Sequence, residues 1–567
     1  MKKKLVTVAV ALVLILIIGG IALARPLYDR YSYSDELADW DEYYQVSGEE
    51  IAIILQDEMV EEKAILRGGV CYFDLGTVHK YMNEIFYVDL EENLFLYTSA
   101  VDTIRITLGE TFYAGALEGG DLGHTIAYAE NDVVYVAADY VALFTNYSYD
   151  VYDRHVQVYT EWGERQMADI RKDTAVRVLG GVKSPILCEL EEGDSVEVLE
   201  RMEKWSKVKT SDSVIGYVEN KRLTNEHTEA EMPVTSYEAP EYTTVALDGK
   251  VSLGFHSIGG VGGNDTLYEA VSMEKGMNVI APTWFSLEDD SGRYRSFATA
   301  DYVQKAHNLG YQVWGVLDNF NYANDTHTEV DVLAVLSSTS SRQTLVKNVV
   351  TEALRWDMDG INVDFEGLDS ACGVHYVQFL RELSVACRNN SLVLSVDNYV
   401  PFNFNDFYRL DIQGQIADYV IIMGYDEHWH GSGDPGSVAS IEYVSNGLDR
   451  TIEEVPAEKV INALPLYTIL WKTEGTTVTD QYLVLNQTAD YLSRMGVTPV
   501  WDETTGQNYA EWQQSGGTTC QVWIEDAESI SAKLNVMKAK NLGGVAVWRL
   551  GYETPQIWEL LQAYVNL

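Results

Sequence analysis

Between Lys250 and Leu567 the sequence alternates short apolar runs with amphipathic stretches, and no other feature limits the fold as tightly. The runs are VSLGFH (251–256), MNVIAP (277–282), YQVWGVL (311–317), GINVDFE (360–366), LVLSVD (392–397), YVIIMGY (419–425), VINALP (460–465) and GGVAVWRL (543–550). Each is nearly continuous in apolar side chains, the pattern of a parallel strand buried on both faces. Helical stretches such as 376–387 and 527–540 separate them. Eight such repeats predict an α/β fold, a (β/α)8 TIM barrel. The interval before the last run is about twice the others. It holds TTVTDQYLVLNQTADYLSRMGVTPVWDETTGQNYAEW (476–512), which predicts an inserted lobe walling the cleft.

One run carries an anomaly. In DGINVDFEG (359–367), Ile361, Val363 and Phe365 face one way, while Asn362, Asp364 and Glu366 face the other, because strand side chains alternate. Burying carboxylates is costly without partners, so the stretch is a metal site, a structural polar cluster or a catalytic centre. Barrel enzymes keep functional residues at the C-terminal strand ends, which puts these three inside the barrel with Glu366 at its mouth. A metal site would want ligands with a free edge and usually a histidine; no histidine is expected at another strand end, and neither metal nor cofactor is predicted. Glycoside cleavage needs a proton donor and something to stabilise the anomeric carbon. Asp364 and Glu366 leave one strand on the same side, about 6–7 Å apart at the backbone, so they cannot flank a sugar from opposite faces. A nucleophile would have to come from elsewhere, and a substrate N-acetyl group can supply it.

Asp359-Gly360-Ile361-Asn362-Val363-Asp364-Phe365-Glu366 matches the DGxDxDxE signature of glycoside hydrolase family 18, and Met423-Gly424-Tyr425-Asp426 matches its MxYD motif. Trp548 ends the last run as the family's Trp does. About 320 residues resemble that family. The resemblance implies that Glu366 is the general acid and then the base, that Asp364 orients the acetamide, and that Tyr425 bonds the acetamide oxygen. It also implies substrate contacts from Asn362, Met423, Asp426, Trp548 and Phe255. An ionised Asp364 is expected to raise the pKa of Glu366. Two departures stand out: the motif's first Asp is Asn362, and YQVWGVLDNF lacks the third-strand SxGG element. These features, with APTWF (281–285), LPLYTILW (464–471) and WIEDAESISAKL (523–534), are similar to the peptidoglycan-hydrolysing, spore-cortex-lytic subgroup. Asp526 fits a helix N-cap as well as a ligand. The implied substrate is an N-acetylglucosamine-containing glycan, peptidoglycan first, cut at β-1,4 linkages through an oxazolinium. Chitin, an N-glycan or glycan binding without catalysis are the alternatives.

The rest of the chain reads as a support for that barrel. MKKK followed by an uncharged run from Leu5 to Ala24 is long enough for a spanning helix. It predicts a single-pass anchor over 1–25 with everything beyond Arg25 outside the cell, or a signal peptide cleaved after Ala22-Leu23-Ala24. An acidic spacer (26–48) leads to a repeat region (49–165), where residues 72–98 align with 135–160 as strand, short helix and hairpin. That pattern resembles copper-amine-oxidase N-terminal-like repeats. Residues 170–225 resemble a bacterial SH3-like domain, on Gly193-Asp194, Trp205, Val208 and Gly216-Tyr217-Val218. Such domains bind wall peptides or space other domains apart. A linker (226–248) precedes the barrel (249–567). A net charge of −46 argues against nucleic acid or an anionic lipid surface as a partner. Five scattered cysteines without CxxC spacing make neither a disulfide framework nor a zinc site, and the chain is expected to be a monomer.

Overall fold

The structure is a computed structural model that describes residues 2–230, 235, 237–320, 330–514 and 516–566. The expected linker at 226–248 lies partly outside them. The chain divides into two compact units, one of residues 1–86, 106–113 and 119–239, the other of 87–105, 114–118 and 240–567.

The larger unit holds the barrel. Its strands are β1 (Val251–His256), β2 (Val279–Leu287), β3 (Gln312–Asp318), β4 (Gly360–Asp364), β5 (Val393–Tyr399), β6 (Tyr419–Met423), β7 (Val460–Pro465) and β8 (Gly544–Trp548). Each pairs in parallel with its neighbours, and β8 pairs with β1 to close the ring. Alternation splits the strand side chains into two cores. Val251, Val279, Trp314, Ile421 and Ile461 fill the lumen, while Ile280, Val313, Val363, Val396 and Val547 pack outward against the helices. β4 stops at Asp364, two residues before the expected end. Its last partner on β3 is Asp318, and beyond it the Glu366 backbone bonds the Asn319 side chain instead.

The interval between β7 and β8 holds the inserted lobe. It is a five-stranded antiparallel sheet with Tyr467–Glu474 between Thr477–Val484 and Thr519–Ile524, and with Gln507–Gln513 and Val500–Asp502 beyond. The helix Leu485–Met495 covers it. Asp526 is the N-cap of Ala527–Ala539, in a capping box with Ser529. The hairpin of the first repeat copy, Tyr87–Asp89 with Leu94–Thr98, also belongs to this unit. Asp89 accepts from the Thr339 backbone N–H (2.8 Å) and hydroxyl (2.7 Å), where a carboxylate complements the positive end of the helix Thr339–Arg355. Arg342, fully buried, pairs with Glu382 at 3.1 Å and donates to the Tyr87 hydroxyl.

In the smaller unit, one seven-stranded sheet contains Glu50–Leu55, Val70–Asp74, Val133–Ala137 and His155–Tyr159. The second repeat copy there runs strand, helix Ala138–Leu143 and hairpin Ser148–Val151/His155–Tyr159. A second seven-stranded sheet covers the expected SH3-like region, around Val176, Val196, Val208 and Val218. Gly216 is needed there because a Cβ would stand 2.5 Å from Val176. All five cysteines are free thiols, four of them buried.

The expected membrane anchor is not supported. Among the described residues no helix is long and apolar enough to cross a membrane. The apolar run lies in the helix Lys2–Tyr31.

Candidate active site

The site forms where β3, β4 and β5 end together. Strand register pairs Ser286 with Asp318 and Asp318 with Asp364, while Asn362 pairs with Ser395. A polar layer therefore crosses adjacent strands just below the barrel mouth. Above it opens a cavity of about 380 Å³. Of the eight residues expected at the site, Phe255, Asp364, Glu366, Met423, Tyr425, Asp426 and Trp548 line this cavity. Asn362 lies beneath, fully buried, and donates to Ser395 Oγ (3.0 Å) and Asp397 Oδ1 (2.9 Å).

Glu366 stands two residues beyond β4, in irregular backbone that other residues pin. Asn319 accepts from the Glu366 N–H (2.9 Å) and donates to its carbonyl (2.8 Å). The Gly367 N–H donates to the Tyr399 hydroxyl (3.1 Å), and that hydroxyl in turn bonds the Glu366 carboxyl. Tyr408 accepts from the Leu368 N–H and donates to the Phe365 carbonyl, both at 3.3 Å. The acid is thus held by its main chain on two sides.

Burial is the main reason the Glu366 pKa is raised; the Tyr399 hydrogen bond opposes it and the Asp426 charge adds to it. The interaction expected between Asp364 and Glu366 falls on Asp364 and not on Glu366. Asp364 is itself pushed well above the carboxylate range by burial and by the Asp397, Glu366 and Asp318 carboxyls. Asp397 is raised to about 8 and Asp318 to about 7, again mainly by burial. Tyr425 is raised well above 10 by burial and by the surrounding carboxyls, so its hydroxyl stays a donor. Asp426, in left-handed backbone (φ 60°), accepts from the Tyr467 hydroxyl at 2.5 Å. Phe255 and Trp548 rings stand 5.6 Å apart, inclined by 60°, and offer an apolar platform beside the polar floor.

One histidine does end a strand, contrary to expectation. His256 closes β1, but its ring bonds Tyr302 and Thr266, and burial lowers its pKa to about 4. Among the described residues no group of three His, Cys, Asp or Glu side chains is placed to hold a metal.

Five lining residues were not anticipated: Asp397, Tyr399, Tyr467, Tyr482 and Tyr552. Ser395, Asp397 and Tyr399 alternate along LSVDNY as Asn362, Asp364 and Glu366 do, so the same period-2 argument could have found them. Tyr467 and Tyr482 come from the inserted lobe, and no local pattern marks them.

Residues 325–553 match the model for Glycosyl hydrolases family 18, and residues 172–224 match the Bacterial SH3 domain. The chain carries a family 18 glycosidase domain. It is 25% identical over 295 residues to the uncharacterized glycosylase YvbX of Bacillus subtilis, a match covering 50% of this chain and 84% of that protein. To the cortical fragment-lytic enzyme of Bacillus anthracis it is 27% identical over 254 residues, 43% of this chain and 57% of the relative. The match thus spans little more than half of that relative. The solved chitinase of Chromobacterium violaceum superposes with a TM-score of 0.50 at 25% identity, over 56% of this chain and 99% of the chitinase.

Proposed function

We propose that this family 18 domain cleaves β-1,4 linkages that follow N-acetylglucosamine in peptidoglycan, with the substrate's own acetamide as nucleophile. The single observation that carries the reading is the pairing of Glu366 with Asp364 and Tyr425 around one cavity. Glu366, its pKa raised mainly by burial, donates to the departing oxygen. The acetamide oxygen attacks the anomeric carbon and an oxazolinium forms. Tyr425 donates to that acetamide oxygen, and Asp364, once ionised, accepts the acetamide N–H and offsets the positive ring. Glu366, now a carboxylate, takes a proton from the water that opens the ring, so the anomeric configuration is retained. Asp426 and Tyr467 hold a sugar hydroxyl, and Trp548 lies under the ring.

Likeness to a cortical fragment-lytic enzyme favours a wall glycan. Likeness to a solved chitinase favours chitin oligomers as the second reading. The test is to incubate the protein with purified peptidoglycan, chitin oligomers and an N-glycoprotein and to weigh the products. Muropeptides ending in N-acetylglucosamine support the proposal. Release from chitin alone transfers the chemistry to the second reading, and no cleavage of any of the three removes it. A thiazoline analogue of the oxazolinium should inhibit.

A further inference from the structure

Asn362 leaves the motif one carboxylate short, yet the cavity floor is rich in carboxyl groups. The β4–β5 register pairs Asn362 with Ser395 and Val363 with Val396, so Asp364 comes level with Asp397 on the adjacent strand. Neighbouring strands lie about 4.8 Å apart, and residues level with each other in a parallel pair face the same side. Both aspartates line the cavity, and both are buried, 9% and 3% exposed. Asp364 Oδ1 has no hydrogen-bond partner. Asp397 Oδ1 is held by Asn362 Nδ2, whose second bond, to Ser395, fixes the amide. Two carboxyls buried side by side on adjacent strands disfavour double ionisation.

We propose that Asp397 is the proton acceptor for Asp364, supplying from the next strand the carboxylate that Asn362 does not. This rests on the proposed mechanism, which needs Asp364 ionised when the oxazolinium forms. The O–H bond of Asp364 breaks as one forms on the Asp397 carboxylate. The negative charge moves to Asp364, where the acetamide N–H meets it. The pair carries one negative charge before and after, and nothing is oxidised or reduced. Asn362 donates to Asp397 without titrating, so it places the acceptor and takes no proton. The groups facing the pair are the carboxyls of Glu366 and Asp318 and the phenols of Tyr425, Tyr376 and Tyr408. The phenols are all held above 10 by burial, so only the carboxyls compete for the proton. Asp397 acts through Asp364 and is a positioning residue.

The test moves the carboxylate. Asp397→Asn should lower kcat at least ~10-fold, about 1.4 kcal/mol, with KM changed much less and one limb of the kcat–pH profile lost. Adding Asn362→Asp to that variant should recover most of the loss. Wild-type kcat and profile in Asp397→Asn overturn the proposal, as does a double variant no better than the single while both unfold at the wild-type temperature. An infrared pH titration of the free protein separates this from failure of the proposed substrate. The neutral-carboxyl band that disappears in Asp364→Asn should titrate at lower pH in Asp397→Asn than in wild type. An unmoved midpoint refutes the shared proton even if no glycan is cleaved.

Discussion

Replacing Tyr399 by Phe probes how the acid is tuned. The Tyr399 hydroxyl bonds the Glu366 carboxyl and so lowers a pKa that burial has raised. A hydrogen bond to a charged group is worth roughly 1.5–3 kcal/mol, and a pKa unit is about 1.4 kcal/mol, which gives a shift of about 1–2 units. Tyr399 is 37% exposed, and water screens the bond, so the lower end is expected. Removing the hydroxyl destabilises the carboxylate and raises the pKa of Glu366 further. Because Glu366 must be protonated to act as an acid, activity is lost as pH rises through that pKa. The alkaline limb of kcat/KM, which reports the free enzyme, should therefore move up by about 1 unit in Tyr399→Phe. The hydroxyl also accepts the Gly367 N–H, but at this exposed edge water replaces it, and unfolding temperature should barely change. An alkaline limb that stays in place, or moves down, would show that Tyr399 does not set the acid's pKa.

Other outcomes follow from the same contacts. Glu366→Gln, which keeps the shape and removes the proton, should cost at least ~10²-fold in kcat on any glycan the wild type cleaves. Asn319→Ala removes both bonds to the Glu366 main chain. It should lower kcat about 10-fold or more with KM little changed, since small displacements of a reacting group are costly, while urea unfolding shows a loss of no more than ~2 kcal/mol. Lys533→Met strands Glu525: both are fully buried, paired at 2.9 Å, with Gln507 and Ser529 completing the network. Leaving that charge alone should cost roughly 3–5 kcal/mol in chemical unfolding at neutral pH. Burial already raises the Glu525 pKa and loss of Lys533 raises it more, so the folded state binds the proton more tightly than the unfolded one. The penalty should therefore shrink as pH falls toward 4, the ordinary range of a glutamate.

Much of the barrel was legible because each of its strands is apolar on both faces, a property of consecutive residues. All eight expected runs overlap β1 to β8, and the starts and ends differ by no more than the usual fraying except at β2, which continues through Thr283-Trp284-Phe285 to Leu287. The polar residues at 362, 364 and 366 were readable by the same alternation, and so was the lobe, from the length of its interval. The docking of the first repeat's hairpin beside the barrel helices depends on Asp89 reaching Thr339 and Tyr87 reaching Arg342, some 250 residues away. No local period encodes that.

By itself, then, the sequence determined the barrel and the place of Asn362, Asp364 and Glu366 at the end of β4, because both follow from the spacing of residues along single strands. Only the tertiary structure decided which way the pKa values of the two carboxyls shift. Whether Asp364 rests charged depends on Asp397, Asp318 and the surrounding burial, which are set by which strands lie side by side. Carboxyl groups respond to neighbours within a few ångströms through a dry interior, and those neighbours come from β3, β5 and beyond, not from the residues next in the chain.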